Sequence, residues 1–478
     1  MSVALESLRQ LSRDSHPALR PNGSNGNAEW LDSLRRDAFA TFEEQGIPTR
    51  RLEEWKGTNF APLAEMRFTR VGRNERTEEL ANDDNTVALQ YEDPGDGPSL
   101  VFIDGEFDPS ASRLTKLPAG VRAISLAEVI ANEPELLDGR LAALTDLKIQ
   151  PLVALQTAFL ADGAVITVEP GTQVEQPIRL RFISTGDVNT EKTEKTESAK
   201  DTALNSASFP RLLVIAGKEC SLTVLQEHVS SGSAPGFTAY VAEFHVGENA
   251  IVESLEIQSE EAARIHFSSV HARLEQSATF DSHVVSVGNG LLRSELAINL
   301  AEPDAQTKLC GLFLGRDKAH LDHFTTVDHS AIRCTSDEEY RGVLANESKG
   351  VFRGRVVVRP GAQKTDAKQS NANLLLSDHA TIDTKPQLEI YADDIRASHG
   401  STIGQLDLDA LFFLRARGID VEDAKRLLTG AFAHGVIARI KNEELRRVAT
   451  AHVDGVLRSL TDSTDITNNT DQANPVSS

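Results

Sequence analysis

The sequence predicts a mainly β chain, a stacked β-solenoid between helical regions at its two ends. Three observations carry that prediction. Between residues 211 and 395 a short pattern recurs, in which two or three polar residues lead to one small residue and then to an alternating strand. The small residues are Cys220, Ala250, Ala278, Ala305, Ala319, Gly350, Ala362 and Ala380, at steps of 30, 28, 27, 14, 31, 12 and 18, of which 12 and 18 together make another 30. A near-constant step with a strand in each step marks a stacked solenoid, and a small corner residue lets adjacent coils approach. Second, strand-like runs already begin at LVFIDGEF (100–107) and GAVITVEPG (163–171). Third, the periodicity switches to that of amphipathic helices after Asp407. On pattern alone, a large β-sandwich with irregular strands remains the alternative.

Residues 1–28 read as a loose leader, with linker composition in PNGSNGN (21–27). Residues 29–45 form a helix with Leu31, Leu34, Ala38 and Phe42 on one stripe, ended by Gly46 to Pro48. RRLEEWKGTNF (50–60) follows as a charged segment around Trp55, and 73–97 as an acidic loop. A helical stretch is expected within 125–160, carrying Leu152, Leu155 and Phe159. Residues 184–206, with the local repeat TEKTEKTE, are too poor in apolar residues to bury and read as a polar insertion. Leu388, Ile390 and Ala392 share one face of a strand that leads through Asp393 and Asp394 to an expected Ser398-His399-Gly400 turn. Asp407 caps the next helix, which holds Phe412 and Leu414. Asp420 caps a second, striped by Ala424, Leu427, Leu428 and Ala431, and a third aligns Leu445, Val448, Ala449, His452 and Val456. Three stripes in so short a stretch need cover from the solenoid end or from a partner. The organisation is therefore 1–98 helical region with linker, 99–398 solenoid, 399–460 helical domain and 461–478 disordered tail.

The chain carries 71 acidic and 49 basic residues, a formal charge of −22. That balance argues against nucleic acid, which needs a basic face, and against an anionic membrane surface. Cys220, Cys310 and Cys334 are the three cysteines, with no CxxC pair. A disulfide framework is excluded, and the count suits a reducing cytoplasm. No apolar run reaches the roughly 20 residues of a membrane-spanning helix.

Catalytic signatures are missing. There is no GxxxxGK[ST] loop, HExxH, GxSxG or GxGxxG opening a helix, so nucleotide hydrolysis by this chain is not expected. The densest group of soft or borderline ligands is 316–334, with His320, His323, His329 and Cys334. Thiolate and imidazole together suit iron, zinc or a nascent iron–sulfur cluster. On a strand His323 and His329 share a face and His320 takes the other. His399 stands apart, flanked by Asp393, Asp394, Arg396 and Ser398.

Four blocks between about 50 and 435 resemble the SufB/SufD family of iron–sulfur cluster assembly scaffolds: RRLEEWKGTNF; LVFIDGEF with PLVALQTAFLADGAVITV; HLDHFTTVDHSAIRCTSDEEYRGVLANESKGVFRGRV; and NANLLLSDHATIDTKPQLEI through LFFLRARG. The resemblance implies a right-handed parallel β-helix flanked by N- and C-terminal α-helical domains. It also implies pairing with a SufB paralogue through the end of the β-helix, docking of the ATPase SufC on the C-terminal helices, and a share in iron entry. By the same resemblance, His399 matches the histidine placed where the nascent cluster forms between the two scaffolds, and Cys334 matches a position after the HLDH strand. Metal candidates are thus His399, Cys334 and His329, toward iron or a nascent cluster shared with SufB. Ala397 stands where the family often has cysteine, and that departure and the SHG wording favour SufD over SufB. Two other readings compete: a β-helix carbohydrate-active enzyme, and a structural adaptor for an ATPase without metal chemistry.

Overall fold

The computed structural model describes residues 3–18, 29–69, 97–114, 117–185, 204–230, 234–260, 263–288 and 290–462. The linker at 21–27, nearly all of the expected acidic loop, the body of the polar insertion and the tail from 463 lie outside those residues.

The N-terminal part contains α1 (Val3–Ala18), α2 (Glu29–Gln45), α3 (Ala61–Glu65), β1 (Arg67–Thr69), β2 (Ser99–Ile103), β3 (Glu106–Phe107), β4 (Val121–Ser125), α4 (Leu126–Asn132) and α5 (Pro151–Ala158). The strands of the body are β5 (Gly163–Val168), β6 (Ile178–Ser184), β7 (Leu204–Ser208), β8 (Arg211–Ala216), β9 (Ser221–Ser230), β10 (Gly236–Val246), β11 (Ile251–Ser259), β12 (Arg264–Leu274) and β13 (Thr279–Gly288). They continue with β14 (Leu291–Leu300), β15 (Gln306–Gly315), β16 (His320–His329), β17 (Thr335–Leu344), β18 (Lys349–Val358), β19 (Thr365–Leu375), β20 (Thr381–Ile390) and β21 (Ile395–Gly404). The chain closes with α6 (Leu408–Arg415), α7 (Val421–Ile437) and α8 (Glu443–Asp462).

From β8 onward the strands alternate between two parallel sheets. One runs β20-β18-β16-β14-β12-β10-β8-β5-β4, and the other β21-β19-β17-β15-β13-β11-β9-β6-β2-β3. Two strands thus make one coil, and each pairs with the strand one coil away, which makes the body a parallel β-solenoid. The sandwich alternative is set aside by this connectivity, because consecutive strands lie in different sheets.

The corners explain the small-residue step. Cys220, Ala250, Ala278, Ala305 and Cys334 stack in one column, since the residue after each of the last four donates its backbone N–H to the carbonyl of the column member one coil back. The residue before each has positive φ: Glu219, Asn249, Ser277, Asp304 and Arg333 lie between 55° and 66°. The following side chain therefore turns inward at a place with little room, and all five column residues are buried. Ala319 and Ala380 belong to a second corner column with Ser348 between them. Gly350, by contrast, lies inside β18.

Helices cover the two outer faces. Phe237, Ala239, Val241, Ile265 and Phe267 of the first sheet pack under Ala4 and Leu8 of α1, Ala38 and Phe42 of α2, Trp55, and α5. Helix α1 corrects the expectation of a loose leader over 1–28: the spacing Ala4, Leu8, Leu11 gives one apolar stripe, and burial of that stripe holds the helix. Leu225, Leu255, Ile257, Val285, Leu312 and Val343 on the second sheet are covered by Ala433, Val436 and Ile437 of α7 and Leu445, Val448, Ala449, Val453 and Leu457 of α8. Helices α7 and α8 are thus covered within the chain, along the solenoid's flank rather than at its end. The covered face of α7 is that of Ala433, Val436 and Ile437, not the expected stripe, of which Ala424 is buried while Leu427 and Ala431 are exposed. Helix α6 has no buried residue, and Leu408, Phe412 and Phe413 are exposed on it, next to exposed Leu427 of α7.

Buried charge ties the N-terminal layer to the sheet. Arg211, fully buried, pairs with Glu243, which also accepts the backbone N–H groups of Ala142 and Leu144. Removing the guanidinium leaves a carboxylate without its counter-charge in a dry interior. Arg211→Ala is therefore expected to lower the unfolding free energy by about 3–5 kcal/mol, read from urea denaturation; a change within the scatter of the parent curve would refute it.

Candidate functional site

The last coil, β20 with β21, is built differently from those beneath it. Interior faces elsewhere are covered by the next coil, whereas on β20 and β21 nearly every residue is partly or fully exposed. The stacking of coils stops here, so one interior face and two rows of backbone edge groups, one on β20 and one on β21, stay open.

His399 lies in the middle of β21, not in a turn between strand and helix as expected. Residues Thr365–Leu374 of β19 supply a parallel partner for the whole of Ile395–Gly404. That ladder outweighs the turn preference suggested by Asp393, Asp394 and Gly400. The acidic pair sits at the preceding corner, where the Asp394 backbone N–H donates to Gln363 Oε1 at 2.8 Å. Ile395 and Ala397 pack on the interior cluster of Val356, Ala367 and Leu388. Ser401 donates to Thr384 Oγ1 of β20 at 3.0 Å, across the inside of the coil. With side chains alternating along a strand, His399 belongs to the same interior-facing set, and Arg396 and Ser398 to the outer face.

The register places His399 on top of a polar column. Along the second sheet, Glu338 pairs with Gln369 and Gln369 with His399, each one coil further toward the open end. On the facing sheet the same levels hold Thr325, Gly354 and Pro386. Gln369 Nε2 donates to Glu338 Oε2 at 2.7 Å, and Thr325 Oγ1 donates to Glu338 Oε1. Burial pushes the Glu338 carboxyl up to about 7, against the lowering effect of those two donors. Sequence reasoning missed Glu338 and Gln369. The available signal was the coil step itself, since 338, 369 and 399 are 31 and 30 apart.

The other two metal candidates are interior residues two coils below. His329 faces inward with His323, and His320 faces outward, as the strand period requires. His329 Nε2 lies 2.9 Å from Ser336 Oγ, while the Nδ1 atom is buried without a partner. His323 stacks on Phe313 at 5.1 Å between ring centres. His320 meets Thr58 Oγ1 at 2.9 Å, beneath the segment around Trp55. The Cys334 Sγ–H donates to the carbonyl of Glu302 at 3.3 Å, and burial pushes its thiol up, away from the thiolate that a metal needs. Among the described residues no three His, Cys, Asp or Glu side chains are grouped to hold a metal ion. His399, Cys334 and His329 are therefore not brought together within this chain.

The buried histidines make stability depend on pH. Burial holds His271, His320, His323 and His329 each down to about 4. Unfolded imidazole titrates near 6.5, so between these values the unfolded chain binds more protons. Their stabilising contribution is complete above about pH 6.5 and is lost as pH falls toward 4, at up to about 1.4 kcal/mol per pH unit for each histidine. Glu338 has the opposite sign, because its raised value lets the folded chain hold a proton that the unfolded chain releases; it offsets one of the four. The urea midpoint is expected to fall steadily from pH 6.5 to 4.5, and a flat profile over that window would contradict the burial of these rings.

The architecture is an open-ended parallel β-solenoid with helices packed on both of its outer faces. Residues 197–432 match the family model described as SUF system FeS cluster assembly, SufBD core domain, and residues 22–180 match the SufBD protein N-terminal region. The chain belongs to the SufBD family of iron–sulfur cluster assembly scaffolds. It is 27% identical to the iron-sulfur cluster assembly protein SufD of Escherichia coli, over 91% of this chain and 97% of that one. Similarity also extends to the SufBD family protein slr0076 of Synechocystis, 28% identical over 88% of this chain and 87% of that one. A plant relative, the chloroplastic protein ABCI7 of Arabidopsis thaliana, is 29% identical over 89% of this chain and 86% of that one. No helix among the described residues is long and apolar enough to cross a membrane.

Proposed function

We propose that this chain is the SufD-type subunit of a cytoplasmic SufBCD-type complex, a non-catalytic scaffold that pairs with a SufB paralogue and helps iron enter the nascent cluster. The observation that carries the reading is the uncovered last coil. A terminal pair of strands with open edges and an open interior face is completed by the end of a second, related solenoid, which offers the same two edges in reverse. His399 then lies inside the joint. Iron or the nascent cluster is cargo here, not a resident cofactor. A neutral imidazole nitrogen is a borderline ligand suited to it. With Ala397 beside it on the same face, this chain brings an imidazole and no thiol to the joint, so thiolate ligands come from the paralogue. The exposed apolar residues of α6, with Leu427, are the docking face for the SufC ATPase, which performs the nucleotide hydrolysis.

The test is co-expression of this chain with a SufB paralogue and a SufC ATPase from one source, then anaerobic reconstitution with ferrous iron and sulfide. A stable three-component complex that gains the visible absorption and iron content of a cluster is expected. A complex that assembles but acquires no cluster would leave the structural-adaptor reading in its place.

A further inference from the structure

Gln369 has an unexplained feature. Its side chain is buried, with 3% exposure, and its Nε2 is committed to Glu338, yet its Oε1 is buried and has no hydrogen-bond partner. With Glu338 ionised, neither end of the amide is free to exchange roles. The two Glu338 oxygens are already occupied, by Thr325 on Oε1 and by Gln369 on Oε2. The donor end of the amide is thus fixed toward Glu338, and the acceptor is the end left over. Space for the amide is provided deliberately by the facing strand, because a Cβ on Gly354 would lie 2.1 Å from Gln369 Nε2. One coil further out on the same row stands His399, with its side chain on the same interior face. Neighbouring strands of a sheet are about 4.8 Å apart, within the reach of a glutamine amide and an imidazole.

We infer that Gln369, held by Glu338 and Thr325, is the positioning residue of His399: its Oε1 accepts the ring N–H and so turns the other, lone-pair nitrogen toward the open joint. A buried acceptor without a donor is unfavourable, and the histidine N–H relieves it. The same bond selects one imidazole tautomer, which is how outer partners usually orient a metal-binding histidine. The inference rests on the reading of His399 as a ligand.

The experiment uses three variants in the full complex. Gln369→Met keeps the length of the side chain and removes the acceptor. The exchange Glu338→Gln with Gln369→Glu keeps the internal hydrogen bond and restores an outward-facing acceptor. His399→Ala is the control for the underlying reading. Gln369→Met is expected to leave complex yield and melting temperature near the parent's and to lower cluster content by about tenfold, with the exchange variant recovering most of it. Histidine-selective ¹⁵N spectra of the isolated chain at pH 8 supply the second readout: the His399 tautomer ratio shifts in Gln369→Met and returns in the exchange variant. Parent-like cluster content in Gln369→Met, or no recovery in the exchange variant, would overturn the inference. If Gln369→Met fails to assemble, an unchanged tautomer ratio overturns it and a shifted one sustains it. Cluster lost in His399→Ala but kept in Gln369→Met would refute the positioning role alone. Cluster kept in His399→Ala would refute the ligand reading itself.

Discussion

His399→Ala is expected to leave the proposed three-component complex assembled and to remove most of its cluster. Assembly should persist because the interface proposed for the last coil spans two strands and their open edges, of which one imidazole is a small part. His399 contributes little to this chain's own fold: it is exposed on a terminal strand held by the backbone ladder to β19. Cluster content should fall by about an order of magnitude or more, since even outer partners of metal-binding histidines are worth about 10–100-fold. His320→Ala is the comparison. That ring faces the outer side and meets Thr58, so its loss should weaken the contact with the Trp55 segment and leave cluster content near the parent's. Visible absorption and iron assay on the purified complexes decide between the two. Equal cluster content in the His399 variant and the parent would remove this residue from the site.

The paired substitution Phe412→Asp with Phe413→Asp should abolish ATPase binding without disturbing the chain's own fold. The two rings are 73% and 55% exposed, on a helix with no buried residue. Their apolar surface is therefore largely uncovered within the chain, apart from the Arg417 guanidinium 3.3 Å from the Phe413 ring centre, while large aromatic side chains are the usual hot spots of an interface, at about 2 kcal/mol or more each. Deleting 407–460 is a poorer experiment than the sequence suggests. It strips α7 and α8 from the second sheet and exposes Leu255, Ile257, Val285 and Leu312, so loss of binding would be confounded with aggregation. The paired variant should keep the parent's melting temperature and circular dichroism while losing the ATPase in co-purification. Retention of the ATPase at the parent's stoichiometry would move the docking face elsewhere.

Much of this was legible in the residues because solenoids repeat. The step near 30 is the length of one coil, so it appears in the sequence before any contact is known. Cys334 is not among the small residues named from the step, yet the corners place it in their column. It continues the column of Cys220, Ala250, Ala278 and Ala305, a position that asks for a small residue. The histidines near it drew attention to its sulfur instead. The facing of His320 against His323 and His329 followed from the period of two alone.

What the sequence by itself determined is whatever depends on local chain geometry: the coil step, the alternation within each strand, the caps at Asp407 and Asp420, and the switch from strands to helices. Only the tertiary structure decided which surfaces remain open and which side chains meet. Helices α7 and α8 look as unpartnered in the sequence as α6, yet the second sheet covers a face of each, on α7 a different one from the stripe the sequence suggests, and α6 stays bare. His399 reads locally as a turn residue, and becomes a strand residue only because β19 offers ten residues of backbone partners. Glu338, Gln369 and His399 are far apart along the chain and adjacent in space, because stacking coils converts a separation of about 30 residues into one interstrand spacing. The physical reason is the same throughout: propensity and periodicity act over a few residues, whereas burial and ladder pairing are settled between coils.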